Sequence, residues 1–440
     1  MSELYTAFTY TCLTGWMVLG TATLGSTVYL SELMGRAAIV QDRRQRTTAC
    51  LLAEQQPRLV IVIPAHNESV VIRSTLESLL AQTYSALHFE TVVVADNCSD
   101  NTASLARDAG ATVLERCNPE ERGKGYALEW AMKRLWTREQ KPDAVVIIDA
   151  DTKAAPNFVA VMAQELFGGV APESWPTHRK AVQGRYGVLN GAESWRAALM
   201  EGAFELVNHV KPLGRSHKGF TVGLKGNGMG FTRAVLETTP WSGSSITEDI
   251  DYGLNLLLKQ GIVVDYAPQA IVRAQMPNTS QQATSQRARW EQGRYRLLRQ
   301  RAPQLFLAGL QRRDARLMDA GLDLLIPPLA ELAAFHAAWA GLTLLCLRLW
   351  ILLPVWALLV PFSLVLYGLY IFGGLKVSGA RPEVYSALIR APFYALWKFA
   401  LYSFMKLKGG KKTSQESPEW VRTERMPIGD ESQRLLEDAA

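Results

Sequence analysis

Cysteine is scarce here and badly placed for structural work. The five residues (Cys12, Cys50, Cys98, Cys117, Cys346) are scattered and odd in number, with no CxxC and no Cys/His cluster. That pattern excludes a disulfide scaffold and a structural zinc site, and fits free thiols in a reducing compartment. A strong charge imbalance is also missing. Lys plus Arg is 47 and Asp plus Glu is 41, a net charge of +6. The basic residues gather beside apolar segments rather than along one soluble face, which argues against nucleic acid. The small excess suits anionic lipid headgroups or a phosphorylated substrate. There is no internal repeat, and no full dinucleotide-binding fingerprint.

Long apolar runs are present at both ends. Leu4 to Met34 is almost uncharged, apart from Glu32. No Lys or Arg precedes it, whereas Arg36, Arg43, Arg44 and Arg46 follow, so it reads as a membrane span rather than a secretory signal. The positive-inside rule places its start outside and the residues after it in the cytoplasm. A second block runs from Leu317 to Phe372, interrupted by Arg348 and preceded by basic Arg312, Arg313 and Arg316. Its length calls for two spans, with Arg348 at the outer turn and Lys376 and Arg381 back in the cytoplasm. Glu331 and His336 inside it should face other helices. Pro392 to Met405 is apolar but short and holds Lys398, so it lies in the interface or forms one more span.

The organisation expected is therefore an N-terminal transmembrane helix over 1–35 and a basic linker over 36–57. A catalytic-type α/β domain follows over 58–301. After it come a basic interfacial helix at 302–316, two transmembrane helices at 317–375, an interfacial or third C-terminal membrane helix at 376–407, and a polar tail from 408 to 440.

Between the apolar ends the pattern alternates. Leu59–Ile63, Glu90–Ala95, Ala111–Leu114 and Ala144–Ile148 read as strands. Ser69–Leu80, Thr102–Ala109 and Tyr126–Trp136 carry helical spacing between them. This β-α-β order predicts a Rossmann-like, mostly parallel sheet covered by helices on both faces, with ligands at the carboxyl ends of the strands. Pro64, Ala65, His66, Asn67 and Glu68, then Asp96 and Asn97, then Asp149 and Asp151 converge on that rim. Beyond Asp151 the pattern is less regular. Gly168–Lys180 and Lys211–Lys218 read as loops, and Trp195–Val210 as a helix.

Several groups on this framework carry chemistry. Asp149-Ala150-Asp151 sets two carboxylates on one face of an extended chain. Their hard oxygens suit Mg²⁺ or Mn²⁺ bridging a diphosphate, although a strand-end turn would use the same residues. Asp96 can accept from an imide N–H or a ribose hydroxyl. Arg122-Gly123-Lys124-Gly125 opens a helix and offers Lys124 to phosphate. Gly226, Asn227 and Gly228 lie in a glycine-rich loop able to approach a sugar. Glu248 and Asp249 are candidates for the carboxylate that deprotonates a sugar hydroxyl, and spacing does not separate them. The plainer reading is that Thr247 caps a helix whose N-terminal dipole the acids suit. Gln286, Arg289 and Trp290 share one helical face: Arg289 for a diphosphate, Trp290 for a sugar ring. An amphipathic helix with an interfacial Trp and Arg would show the same pattern.

Four motifs, VVVADNCSD, DAD, TED and QxxRW, occur in that order. With them the chain resembles the membrane-bound family 2 glycosyltransferases of GT-A fold, the group of cellulose, hyaluronan and poly-N-acetylglucosamine synthases. Ceramide glucosyltransferase is also similar. The resemblance covers about residues 58–301 and implies an inverting transfer from a UDP-sugar, with Asp249 as base and Glu248 beside it. It implies donor binding by Asp96, Lys124, Asp149, Gln286 and Arg289, metal binding by Asp151 and Asp149, and acceptor contact by Trp290. Pro64, Ala65, Asn67 and Glu68 join the donor side by their place at the strand ends, and Gly226, Asn227 and Gly228 join the acceptor side by their glycine-rich loop. The acceptor is a growing exopolysaccharide or a lipid-linked glycan at the inner, cytoplasmic membrane. Membrane lipids and export proteins are the partners implied. Asn97-Cys98 stands where many members have Gly-Ser. Single-sugar transfer to a membrane lipid, and a non-catalytic nucleotide-binding subunit of a synthase complex, are the alternatives.

Overall fold

A computed structural model describes residues 2–44, 56–243, 247–276 and 280–392; the side chains of 2–5, 42–44 and 280–292 are not described. The expected short membrane helix, from residue 393 onward, and the tail lie outside the described residues, as do residues 45–55 of the basic linker.

The chain opens with one long helix, α1 (Ser2–Arg44). It then alternates through β1 (Leu59–Ala65), α2 (Ile72–Leu80), β2 (Phe89–Asp96), α3 (Thr102–Asp108), β3 (Thr112–Arg116), α4 (Lys124–Trp136) and β4 (Ala144–Ile147). β1, β2 and β4 are near-continuous apolar runs because both faces of a central parallel sheet are buried. Pro64 does not end β1, which runs on to Ala65. The second half adds β5 (Thr152–Ala154), α5 (Phe158–Phe167), β6 (Ala181–Val188), α6 (Trp195–Phe204), α7 (Lys211–His217), β7 (Met229–Thr232), α8 (Arg233–Thr238), α9 (Glu248–Gln260) and β8 (Val264–Ala274). A π-helical turn, Glu205–Val210, joins α6 to α7. The segment Lys211–Lys218, read as a loop, is thus mostly helical: Pro212 follows the π-helical turn, and the Asn208 carbonyl that its missing N–H would have met accepts from the Tyr266 hydroxyl at 3.0 Å instead.

The eight strands form one sheet in the order β3-β2-β1-β4-β7-β6-β8-β5. β1 to β4 pair in parallel; β4–β7, β7–β6 and β8–β5 are antiparallel, and β6–β8 is parallel. The sheet is therefore mixed α/β, parallel in its first half. Alternation along β1 splits the core. Val60 and Val62 face α4, while Leu59, Ile61 and Ile63 face α2 and α5.

C-terminal to the sheet come α10 (Ser280–Arg312), α11 (Ala315–Leu325), α12 (Leu329–Arg348), the short α13 (Pro354–Ala357), α14 (Leu359–Ser378) and α15 (Pro382–Leu388). Among the described residues, Leu329–Arg348 and the joined Pro354–Ser378 are long and apolar enough to cross a membrane. They begin after Pro327-Pro328, and α11 stays separate. At about 1.5 Å per residue α1 is about 65 Å long, but interleaved Thr, Gly and Ser keep it below that apolarity. It packs on α7, α12 and α14. His336 is buried between helices, bonded to Ser363 Oγ at 2.9 Å and stacked on Tyr367. Glu331 pairs with Arg294 of α10 at 2.8 Å.

Candidate functional site

Parallel pairing of β2, β1 and β4 puts their carboxyl ends side by side, and the strand-end residues collect there. Asn67 adopts a left-handed conformation (φ 56°), one that Asn tolerates better than most residues. Its side-chain oxygen accepts from the backbone N–H groups of Ser99, at 2.7 Å, and Asp100. The Glu68 N–H donates to Thr102 Oγ1 at 2.8 Å. The Pro64–Glu68 turn is thereby locked to the loop after β2. Asp96 is buried at the end of β2, where Arg116 donates to its Oδ1 at 2.7 Å and Asn97 at 3.0 Å. Arg116, itself buried, gives no signal in the sequence, because nothing in its spacing marks it as the partner of an acid twenty residues earlier.

At the end of β4 the Asp149 N–H donates to Asn227 Oδ1, and Asp149 Oδ1 accepts from Lys124 Nζ at 2.5 Å. Lys124 is the first residue of α4, and its ammonium also donates to the Gly226 carbonyl at 2.5 Å. Gly226 holds φ at +80°, and a Cβ there would lie 3.1 Å from Asp249 Oδ2. One ammonium thus joins the strand-end carboxylate to the loop that borders Asp249. Asp149, Glu248 and Asp249 together hold Lys124 protonated, above its ordinary range, against the opposing effect of burial.

Glu248 and Asp249 open α9 with Asp251, three acids in the first turn, where the helix dipole favours them. Thr247 stands at the N-cap, but its side chain accepts no capping bond. Burial raises Glu248 and Asp249 above the usual carboxylate range. For Glu248 the charge of Asp249 adds to this; for Asp249 the Ile250 N–H, Lys124 and Lys225 oppose it. A carboxylate raised above its usual range is a stronger base, as base catalysis requires.

Asn227 is fully buried, and its amide donates to Thr152 Oγ1 at 2.8 Å. A Cβ on Gly228 would run into Val272. Both residues shape the loop from inside. Gly226 borders Asp249, and Asn227 borders Asp149. Asp151 is buried just before β5.

Gln286, Arg289 and Trp290 fall within α10, but their side chains lie outside the described residues. The helix itself reaches the site three residues further on. Gly293 rests against Thr247, where a Cβ would collide with the threonine methyl. Arg301 Nε donates to Asp251 Oδ1 at 2.6 Å and ties α10 to α9.

Among the described residues no three His, Cys, Asp or Glu side chains group as a metal cage. A divalent Mg²⁺-type ion needs only one or two carboxylates when substrate phosphates complete its shell. Asp149 and Asp151 stand two residues apart after β4, with Asp149 Oδ1 held by Lys124 and Asp151 buried.

A family model described as glycosyltransferase like family 2 matches residues 57–293. The probable glycosyltransferase YdaM of Bacillus subtilis (strain 168) is 27% identical over 248 residues, covering 54% of this chain and 56% of that protein. The poly-beta-1,6-N-acetyl-D-glucosamine synthase of Staphylococcus aureus (strain COL) is 26% identical over 253 residues, covering 54% and 55%. The chain spans about half the length of the curated relatives it matches. Among solved structures, a mannosyltransferase from Pyrobaculum calidifontis in complex with GDP-Man and Mn²⁺ aligns with TM-score 0.43 at 19% identity, covering 80% of this chain and 98% of that one.

Proposed function

We propose, from the premise that this chain belongs to glycosyltransferase family 2, that it is an inverting glycosyltransferase. It moves a sugar from a UDP-sugar to a growing exopolysaccharide or lipid-linked glycan at the cytoplasmic face of a membrane. The observation that carries this reading is the Lys124 bridge, which brings Asp149 and the Gly226 loop together beside Asp249.

Asp249 takes the proton from the acceptor hydroxyl as its oxygen attacks the anomeric carbon. The new C–O bond forms on one face while the bond to the diphosphate breaks on the other, so an α-linked donor gives a β-linked product. The proton leaves through Asp249 to water, and UDP departs. Lys124, at the N-terminus of α4, offers its charge and the helix dipole to the departing diphosphate. Asp149 and Asp151 would hold Mg²⁺ or Mn²⁺, which when bound offsets diphosphate charge. Asp96, with the turn 64–68, forms the nucleoside end of the cleft. Arg289 and Gln286 close on the diphosphate and Trp290 on the acceptor. The membrane reading rests on the two apolar helices and on α1 packed against them.

The test is UDP release from UDP-glucose, UDP-galactose, UDP-N-acetylglucosamine and UDP-glucuronate by the full-length protein with Mg²⁺ or Mn²⁺. One donor should support turnover. Asp249→Asn should abolish it while UDP binding, read by calorimetry, persists. Turnover retained in that variant removes Asp249 from the role of base.

A further inference from the structure

The Asp149 carboxylate already carries a cation. Lys124 Nζ lies 2.5 Å from Asp149 Oδ1 and 2.5 Å from the Gly226 carbonyl oxygen. The two partners differ in freedom. The Asp149 N–H donates to Asn227 Oδ1 at 3.2 Å, and Asn227 is fully buried, so the carboxylate stands on a fixed backbone. Lys124 reaches it on a flexible stem from the first turn of α4. The side chains of Lys124 and Asp149 stay 25% and 30% exposed, whereas Asp151 is buried. Ions from solvent can therefore reach this pair.

A divalent cation held by Asp149 and Asp151 meets the ammonium at the same carboxylate. Two cations there repel each other, so Asp149 serves the metal fully only when Lys124 yields. An ammonium that leaves Asp149 needs another acceptor. A diphosphate at the N-terminus of α4 is one within reach of the same stem.

We propose that Lys124 is an exchangeable counter-ion, which competes with the divalent cation for Asp149 until the donor diphosphate draws it away. Asp149 then binds the metal weakly ahead of the nucleotide and firmly with it. The same movement releases the Gly226 carbonyl, on the loop that borders Asp249. This deepens the reading above and rests on Asp149 and Asp151 being the metal carboxylates.

The test is Mn²⁺ binding to the detergent-solubilised full-length protein without nucleotide, read as free Mn²⁺ by electron paramagnetic resonance. UDP binding in EDTA, read by calorimetry, runs beside it. Lys124→Met and Lys124→Gln should bind Mn²⁺ about tenfold more tightly than the wild type, because no charge-assisted bond has to break first. Both should bind UDP about tenfold more weakly, for loss of the same kind of bond. Opposite signs in one protein do not arise from misfolding. Asp151→Asn should abolish Mn²⁺ binding with either residue at 124. Mn²⁺ affinity that falls or stays level in both Lys124 variants, while Asp151→Asn abolishes it, overturns the proposal and leaves the metal site standing. Tighter Mn²⁺ with unchanged UDP affinity also overturns it, since the ammonium then never reaches the diphosphate. Mn²⁺ bound equally by wild type and Asp151→Asn overturns the metal assignment and the proposal with it, whereas UDP release by the wild type decides the transfer reading separately.

Discussion

At the scale of single residues, the site is governed by which charges are paired. Asp96 and Arg116 are both buried and meet at 2.7 Å, so each is the other's compensation for lost water. Removing one partner strands the other, which costs about 3–5 kcal/mol for a buried pair. Arg116→Ala should therefore lower the denaturation midpoint of the full-length protein markedly and weaken UDP binding, both measurable in one detergent-solubilised preparation. Equal stability in the variant would show that water reaches Asp96. The sequence marks the acids well, because Asp and Glu at strand ends and helix starts stand out against apolar runs. It marks their counter-charges poorly. Arg116 occupies a position that any solvated basic residue could fill, and only the fold brings it to Asp96.

At the scale of elements, the contact between α9 and α10 decides whether the Gln286–Trp290 stretch reaches the acids. Gly293 allows α10 to rest on the Thr247 methyl, immediately before Glu248. Gly293→Ala should overpack this crossing at about 1–3 kcal/mol, displace α10 and cut kcat. Thr247→Ser removes the methyl in question, so the double variant Gly293→Ala/Thr247→Ser should recover much of the rate. No recovery would place the defect elsewhere than at this crossing. Elements in the first half of the sheet were legible because uninterrupted Val and Ile runs permit little else. The second half was not. β6 contains Gln183, Gly184 and Arg185 at a bulge opposite β8, and β5 has only three residues, so neither shows a clean period. Helix α7 was hidden by its Pro and Gly, which here follow a π-helical turn and allow a close approach to α1.

At the scale of the whole molecule, α1 is joined to the sheet layer by polar as well as apolar contacts. Tyr29 donates to Asp319 Oδ1 at 2.8 Å, and the same aspartate pairs with buried Arg215. Asp319→Ala should leave Arg215 with Asp323 alone, loosen α1, α7 and α11 together, and raise amide hydrogen exchange in all three. Faster exchange confined to α11 would show that the three do not move as one. The overall plan, a sheet with apolar helices after it, could be read from composition and run length. The union of the two parts could not, since it depends on contacts far apart in the chain.

That union has a practical outcome. Val60, Val92, Leu128 and Val145 of the sheet layer share one cluster with Leu30 and Ala37 of α1, Leu332 of α12 and Tyr370 and Leu375 of α14. Among the described residues no seam runs between the sheet layer and these helices. A clone trimmed to the enzyme-like middle would emerge with a greasy wound where its missing helices belong, and detergent or lipid would have to dress it.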